Sequence, residues 1–271
     1  MQIAGKLAVV TGAASGIGRA TCLALADKGC DVVAVDVDAG GIDETSAEVE
    51  AMGRSAWSRV VDVSDRDQVF ALASWCQSEV SGADMLVNNA GVTVISEFEH
   101  HSLEDFEWLM GINFWGVVYG CKAFLDQLRV KRGHIVNVSS IFGVVGVPGQ
   151  SSYCSSKFAV RGFSEALRLE LRDHGVGVTS VHPGGVRTQI VASARAEGEY
   201  VEQKQRSVRW FERKAMDPDR VGDAIVRSIE RDDQRLVITP EAHVLDFAQR
   251  LWPTGLGKAL HWGRDRIFGR Q

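Results

Sequence analysis

Short apolar runs rich in β-branched residues alternate with longer amphipathic stretches along the chain. Near-continuous apolar character is typical of strands that are buried on both faces. The runs of this kind span residues 7–10, 32–35, 56–61, 85–87, 134–138, 177–181 and 236–238. Helical periodicity is found around residues 17–28, 41–52, 65–80, 103–130, 153–173 and 219–231. The alternation predicts an α/β fold with a doubly wound parallel sheet of about seven strands, and Ser64, Ser102 and Asp217 are placed to cap helices.

Two segments interrupt this alternation. Residues 189–216 are polar and charged and directly follow a predicted strand. Ligands in such folds bind beyond the carboxyl ends of the strands, so we interpret this segment as a lid over the site. Residues 240–271 form a carboxyl-terminal extension. Because no linker-like stretch divides the chain, residues 1–271 are predicted to form one domain.

The composition, with 45% apolar and 24% charged residues, is that of an ordinary globular protein. A net charge of −5 argues against a nucleic-acid partner, since phosphate contacts need a basic surface. The five cysteines form no CxxC pair, and their odd number excludes a complete disulfide framework. The first residues leave no room for the apolar core of a signal sequence, and no apolar run reaches the ~18 residues of a membrane-spanning helix. We therefore expect a cytoplasmic protein, and we predict no metal site.

A glycine-rich turn follows the first predicted strand. Its sequence is Thr11-Gly12-Ala13-Ala14-Ser15-Gly16-Ile17-Gly18. Glycines at such a turn let a pyrophosphate approach the backbone and the amino end of the next helix. The turn alone is also compatible with a purely structural role.

Asp36 ends the second predicted strand, eighteen residues after Gly18. A carboxylate there accepts hydrogen bonds from the adenosine ribose and repels a 2′-phosphate, which favours NAD over NADP. Neither Ser15 nor Val37 supplies the cation that an extra phosphate requires. The alternative is a solvated acid at the end of a strand. Asp62 and the Val63 backbone are weaker candidates for the adenine, and a helix-capping role for Asp62 fits equally well.

Tyr153 and Lys157 are one helical turn apart and share a helix face. A free phenol has a pKa of about 10, and an adjacent ammonium favours its anionic form. One cation at a few ångströms supplies about 4 kcal/mol at an intermediate dielectric. We therefore expect Lys157 to bring the pKa of Tyr153 down towards about 7 to 8, as a proton-transfer group requires.

Together these features resemble the short-chain dehydrogenase/reductase family, whose members are built on a single Rossmann domain. The resemblance covers roughly residues 5–240. Its motifs occur in family order as the glycine-rich turn, Asn88-Asn89-Ala90-Gly91, Asn113, Ser140, Tyr-x-x-x-Lys at 153–157, and Pro183-Gly184 followed by Val186 and Thr188.

The resemblance implies reversible hydride transfer between a nicotinamide and a secondary alcohol or ketone. Tyr153 would be the general acid or base, and Ser140 would hold the substrate oxygen. Lys157 would also bind the nicotinamide ribose, and Asn113 would satisfy a buried backbone group while holding a water that leads protons towards Lys157. Ser139 is interpreted as a packing residue.

The remaining family positions are assigned to the cofactor. The segment Asn88–Gly91 would stabilise the sheet centre and line the adenosine ribose and nicotinamide side, with Asn89, Ala90 and Gly91 as contacts. Pro183, Gly184, Val186 and Thr188 would lie by the nicotinamide carboxamide, although Thr188 alone could also be a helix cap.

Substrate and partners are less well defined by the sequence. The apolar candidates Phe142, Val147 and Trp210 favour a hydrophobic alcohol or ketone, with ordinary core packing as the alternative. In the resembled family the helices at 103–130 and 153–173 pair across a two-fold axis, which implies a homodimer or homotetramer unless their apolar residues belong to the core. The surplus apolar positions are Phe114, Val118, Phe124, Phe158, Phe163 and Leu167.

The tail from residue 251 mixes basic and aromatic residues, which can mark a membrane surface. Packing over the site or on a neighbouring subunit is favoured, because Pro253 and three glycines interrupt the tail. Two other functions remain as alternatives to an NAD-linked enzyme. One is an NADP-linked carbonyl or 3-oxoacyl reductase, and the other is a catalytically silent nucleotide-sensing protein.

Overall fold

The computed structural model describes residues 1–196, 200–202, 204–205, 208–209 and 215–258. Its strands are β1 (Leu7–Thr11), β2 (Asp31–Asp36), β3 (Ala56–Val60), β4 (Met85–Asn88), β5 (His134–Val138), β6 (Gly177–Pro183) and β7 (Arg235–Ile238). They form one parallel sheet in the order β3-β2-β1-β4-β5-β6-β7. The predicted doubly wound fold is confirmed. Strand order reverses between β1 and β4, and the carboxyl ends there form the crevice in which such folds bind ligands.

The helices follow the predicted periodicity closely. They are α1 (Gly16–Asp27), α2 (Ala39–Ala51), α3 (Arg66–Glu79), α4 (Leu103–Met110), α5 (Gly116–Lys131), α6 (Ser151–Leu171), α7 (Pro218–Arg231) and α8 (Pro240–Leu251). The single helix expected over 103–130 is α4 and α5 joined by a π-helical turn, Gly111–Trp115. Helix α8 lies in the carboxyl-terminal extension, for which the sequence pattern predicts no helix.

Two of the three predicted caps are confirmed. Ser102 accepts a hydrogen bond from the Asp105 amide, and Asp217 accepts one from the Asp219 amide. Ser64 was the wrong choice for α3, because the Asp65 carboxylate accepts from the amides of the first turn. The Ser64 hydroxyl instead donates to Asp62.

The sheet separates two hydrophobic clusters. Neighbouring residues of β2 point to opposite faces, so Val32 packs with α1 and α7 while Val33 packs with α3, α5 and α6. Both valines are fully buried, as expected for a strand covered on both sides. Strand β3 differs from the expectation of full burial, because it forms one edge of the sheet and Val60 is exposed.

The beginning of the carboxyl-terminal extension packs against this molecule itself. Ala242 of α8 and Leu256 belong to a cluster with Ile141, Val144 and Val145, the loop that follows β5. The described part of the extension therefore supports the loop that carries Ser140. Most of the basic and aromatic tail lies outside the described residues.

Three further observations concern membrane spans, metal ligands and cysteines. No described helix has both the length and the apolar character that crossing a membrane requires. Within the described ranges, no three histidine, cysteine or acidic side chains come close enough to form a metal site. All five cysteines are free and buried.

Candidate active site

The amino end of α1 lacks a capping side chain. Ser15 occupies the N-cap position, yet its hydroxyl makes no capping hydrogen bond, and the first turn of α1 contains no acidic residue. Helices α2, α3, α4, α7 and α8 are each capped by an Asp, Ser or Thr. The first amides of α1, at Gly16, Ile17 and Gly18, thus remain available to an anion at the positive end of the helix dipole.

The glycine-rich turn is held against β4 too closely for side chains. A Cβ at Gly12, whose φ is +67°, would lie 2.7 Å from Asn89 Nδ2, and a Cβ at Gly18 would lie 1.9 Å from the Gly12 carbonyl oxygen. Asn89 Nδ2 donates to the carbonyl oxygens of Thr11 and Gly12, at 3.0 and 3.2 Å. The Thr11 hydroxyl accepts from the amides of Asn89 and Ala90. These bonds fix the turn beside the end of β4.

Asp36 stands at the end of β2, as predicted, and also braces the turn. Its Oδ2 accepts from the Ala14 amide at 3.1 Å, and its Oδ1 accepts from the amides of Val37 and Asp38. A carboxylate oxygen has two lone pairs, so Oδ2 can accept a further hydrogen bond. The side chain is therefore more than a solvated strand-end acid.

Asp62 and Val63 follow β3 near the same edge of the sheet. Asp62 Oδ1 accepts from both the amide and the hydroxyl of Ser64, at 2.9 and 2.7 Å. Asp62 is not the cap of α3, which leaves its role as an adenine contact a prediction. Val63 is buried against Gly116, whose missing side chain permits this close approach.

Ser140, Tyr153 and Lys157 converge beyond the ends of β4 and β5. Ser140 lies beside the Tyr153 phenol and lowers its pKa through hydrogen bonding, and the Lys157 ammonium lies 5.6 Å from the centre of the Tyr153 ring. Lys157 Nζ donates to the Val138 carbonyl oxygen at 2.9 Å. Phe142 stands edge-on to Tyr153, with 6.2 Å between ring centres.

Burial is the main cause of the pKa shifts of Tyr153 and Lys157. Desolvation raises the pKa of Tyr153 to about 12, and hydrogen bonding by Ser140 offsets part of the rise. Desolvation also lowers the pKa of Lys157 to about 8. The expectation that Lys157 brings the Tyr153 pKa towards neutrality is wrong for the protein alone. The reason is that both groups are desolvated in the same pocket. The free-energy cost of ionising the phenol there exceeds the electrostatic stabilisation that the ammonium gives to the phenolate.

Asn113 is fully buried in the π-helical turn. Its Oδ1 accepts from the Val92 amide at 2.8 Å, and its Nδ2 donates to the Val92 carbonyl oxygen at 2.9 Å. The expectation that it satisfies buried backbone groups is confirmed. A π turn widens the helix by one residue and is frequent at functional sites. Here it points the amide at the loop after β4, where a Cβ on Gly91 would lie 3.3 Å from Asn113 Oδ1 and 3.4 Å from Lys157 Nζ.

Several supporting residues were not identified as part of the site. The Ser139 hydroxyl donates to the Lys157 carbonyl oxygen at 2.8 Å, which ties α6 to the end of β5. Ser156 accepts from Asn113 and donates to the Tyr153 carbonyl oxygen. Gln150 joins the start of α6 to the loop after β4 through Thr93 and Val94. Serines in the motif were visible in the sequence, but their partners depend on tertiary contacts.

The residues after β6 close the site on the side of α1. Pro183 ends the strand, Gly184 donates to the Ile238 carbonyl oxygen, and buried Val186 forms a bridge with Met216. Thr188 lies against Gly16, where a Cβ would be 3.0 Å from Thr188 Cγ2. Thr188 therefore reaches the glycine-rich turn.

The described part of the predicted lid pairs with the loop that follows β4. The amide of Arg195 donates to the Thr93 carbonyl oxygen, and the Ile95 amide donates to the Arg195 carbonyl oxygen. The Arg195 guanidinium pairs with Asp105 and lies 3.5 Å from the centre of the Trp108 ring. A cavity of about 490 Å³ remains between Ser15, Gly16, Thr188, Val191 and Ala192 together with further residues of α1 and α7. Trp210 lies outside the described residues.

The residues present fit a dinucleotide. A turn without side chains, an uncapped helix end and a cavity beside both provide a cradle for a pyrophosphate. Asp36 stands at the ribose position of the fingerprint, and the catalytic candidates lie at the other end of the same crevice. The loop of Phe142 and Val147, both partly buried, borders this second end.

Comparisons with known proteins agree with this architecture. The family described as short chain dehydrogenase matches residues 6–199. The oxidoreductase SadH of Mycobacterium tuberculosis is 38% identical over 274 residues, which covers 96% of this chain and 98% of SadH. The 3-oxoacyl-(acyl-carrier-protein) reductase FabG of Thermotoga maritima is 34% identical over 191 residues, or 70% of this chain and 78% of that protein.

A solved structure is similar over nearly the whole length. It is a short-chain dehydrogenase/reductase from Burkholderia phymatum in complex with NAD, with a TM-score of 0.87 and 28% identity, covering 92% of this chain and 94% of that chain. This chain belongs to the short-chain dehydrogenase family of oxidoreductases, as its motifs indicated.

The depressed pKa of Lys157 predicts a pH-dependent stability. The pKa of its ammonium is about 8 in the folded protein and 10.5 in an ordinary lysine, so folding opposes the charge. This cost is complete below pH 8 and disappears as the pH rises to 10.5. Between about pH 7.5 and about pH 10, the wild type should therefore gain about 2 kcal/mol of unfolding free energy relative to Lys157→Met. Urea unfolding of both proteins at the two pH values measures this, and a constant difference would contradict it.

Proposed function

We propose that this protein is an NAD-dependent oxidoreductase that interconverts a secondary alcohol and a ketone of apolar character. The observation that carries the proposal is the convergence of Ser140, the Tyr153 phenol and the Lys157 ammonium, whose nitrogen lies 5.6 Å from the centre of the Tyr153 ring. A phenol held by a hydroxyl donor and a nearby cation is suited to exchange a proton with a substrate oxygen. The dinucleotide cradle lies in the same crevice.

Each side chain has a role that follows from its position. Bound nicotinamide would supply the hydride acceptor in oxidation and the hydride donor in reduction. Ser140 orients the substrate oxygen, and Tyr153 takes or gives the proton at its phenolic oxygen. Lys157 adds positive charge beside that oxygen and would hold the nicotinamide ribose, while Asn113 holds the loop of Val92 against the site.

The direction of the Tyr153 pKa shift bears on the direction of the reaction. A phenol is already protonated at neutral pH and burial raises the pKa of Tyr153 further, so the side chain is in the form that a reductase needs as its acid. Oxidation needs the phenolate, so additional positive charge is required in that direction. Oxidised nicotinamide carries such a charge and the reduced form does not.

Asp36 supports the choice of NAD. Its carboxylate can accept hydrogen bonds from ribose hydroxyls, and it would repel a 2′-phosphate at the same place. The adjacent Val37 is exposed and offers no cation. We assign the pyrophosphate to Gly12, Ser15, Gly16, Ile17 and Gly18. The adenine is assigned to Asp62 and Val63, and the nicotinamide side to Asn89, Ala90, Gly91, Pro183, Gly184, Val186 and Thr188.

The substrate class rests on the loop beside Tyr153. Phe142 and Val147 border the catalytic group, and α8 packs on the far side of the same loop. This apolar wall favours an alcohol or ketone with hydrocarbon around the reacting carbon. A panel of secondary alcohols that yields turnover only with sugars would contradict it.

A second candidate is a 3-oxoacyl reductase that uses NADP. It is favoured by the 34% identity to the FabG protein of Thermotoga maritima. This candidate function predicts turnover of a 3-oxoacyl thioester and tighter binding of NADPH than of NADH. Asp36 makes NADPH the weaker ligand in our proposal.

We also propose a homodimer or homotetramer in a reducing cytoplasm. Trp115 and Phe158 expose apolar surface on the π turn and α6, and five free thiols suit a reducing compartment. Phe124 and Leu167, two of the apolar positions considered for this contact, are instead buried in the core of this molecule. Light scattering that reports a monomer, or cell fractionation that places the protein outside the cytoplasm, would contradict these proposals.

Replacing Tyr153 with Phe tests the assignment of the proton-transfer group. Tyr153→Phe should lower kcat by about a hundredfold or more, because it removes the acid while keeping the ring. Binding of NADH, followed by nucleotide fluorescence, should be unchanged and tighter than binding of NADPH. The matched control is Tyr119→Phe on α5, which should retain full activity.

Retained turnover in Tyr153→Phe would refute the catalytic assignment. Tighter binding of NADPH than of NADH would instead favour the second candidate. If the wild type binds NADH but turns over no member of an alcohol, ketone and 3-oxoacyl panel, the protein is a nucleotide-binding protein without catalysis.

A further inference from the structure

His182 is a buried titratable residue to which the mechanism above gives no part. It is the penultimate residue of β6, immediately before Pro183, and it is fully buried. Its Nδ1 lies 3.1 Å from the Ser140 carbonyl oxygen, and its Nε2 lies 3.0 Å from Ser180 Oγ. One imidazole thus connects β6 to the backbone of the residue that contacts Tyr153.

The two partners determine which nitrogen carries the proton. A carbonyl oxygen only accepts hydrogen bonds, so Nδ1 must donate to Ser140. In the neutral ring Nε2 is then an acceptor, and the Ser180 hydroxyl donates to it. Burial lowers the pKa of His182 to about 4, which keeps the ring neutral in this single tautomer near neutral pH.

The imidazole replaces a main-chain bond that the sheet cannot make. Strands β5 and β6 pair up to Val138 and Val181, and the Ser139 amide still donates to the Val181 carbonyl oxygen at 2.8 Å. Beyond that point the main-chain pairing stops. The Ser140 carbonyl oxygen accepts from the Gly143 amide on its own loop, and only His182 connects it to β6 among the contacts the structure describes.

We propose that His182 is a positioning residue, which holds the Ser140 backbone through its Nδ1–H so that the Ser140 hydroxyl meets Tyr153 and the substrate oxygen. The inference rests on the proposed function, because its effect on turnover presupposes catalysis by Tyr153. His182 itself does not touch the phenol. Displacement of Ser140 by up to about an ångström would lower kcat. It would leave the binding of the dinucleotide at the far end of the crevice unchanged.

Substitution of His182 by Asn or by Gln distinguishes the roles of the two ring nitrogens. The side-chain nitrogen of Asn can take the place of Nδ1, whereas the longer Gln places its amide near the position of Nε2. His182→Asn should keep kcat within about threefold of the wild type. His182→Gln should lower kcat by about ten- to a hundredfold with unchanged NADH binding.

A second buried histidine provides the matched control. His134 is the first residue of β5, at the opposite end of the strand from Ser140, and its Nε2 pairs with Thr179 Oγ1 at 2.8 Å. Burial lowers its pKa to about 4 as well. His134→Gln should change the melting temperature but not kcat. A loss of kcat in His182→Gln that is absent from an equally destabilised His134→Gln therefore does not come from general destabilisation.

Nitrogen-15 NMR of histidine-labelled protein tests the tautomer without any turnover. The His182 signals, identified by their loss in His182→Asn, should show a protonated Nδ1 and an unprotonated Nε2 from about pH 5.5 to about pH 8. Ser180→Ala removes the hydroxyl that fixes this state and should lower kcat several-fold, even if His182→Gln does not fold.

The outcomes are distinguishable. A protonated Nε2, equal losses of kcat in His182→Asn and His182→Gln, or full activity in a folded His182→Gln would each overturn the positioning role. A wild type that turns over no substrate, yet shows the predicted tautomer, would refute the proposed function and leave the contact between His182 and Ser140 intact.

Discussion

The site depends on one buried cation. Lys157 brings its ammonium out of water to within 2.9 Å of the Val138 carbonyl oxygen, at the point where β5 ends. Burying a charge is costly unless polar groups surround it, and the neighbouring hydrogen bonds serve this need. Ser139 holds the Lys157 backbone, and Asn113 orders the loop next to the ammonium. The same desolvation makes the Tyr153 phenol hard to ionise.

The two ends of the crevice are built by different means. At the end proposed for the cofactor the backbone itself is shaped, with glycines that permit close packing and an uncapped helix that leaves amides for an anion. At the end proposed for catalysis the site is formed by side chains, which neighbouring residues hold in place. Thr11 and Asn89 connect the two ends, because they tie the glycine-rich turn to the loop that leads to Gly91.

Local patterns predicted what local interactions decide. The seven strands, the face shared by Tyr153 and Lys157, and the carboxylate at Asp36 follow from periodicity and spacing. Choices that depend on tertiary contacts were missed. Asp65 rather than Ser64 caps α3, and Phe124 and Leu167 are core residues, which the sequence left as the alternative to a subunit contact. The direction of the Tyr153 pKa shift also depends on how much water the folded pocket excludes, which the spacing of two residues does not encode.

The central claim is that burial raises the pKa of Tyr153 even beside Lys157, so that ionisation of the phenol requires the additional positive charge of oxidised nicotinamide. Ultraviolet titration of the phenolate, taken as the difference between wild type and Tyr153→Phe, measures this directly. The account predicts no ionisation of Tyr153 below pH 10 in the protein alone, consistent with a pKa of about 12. It predicts a midpoint several pH units lower with saturating NAD+, and a smaller shift with NADH. A midpoint that is the same in all three states would contradict it.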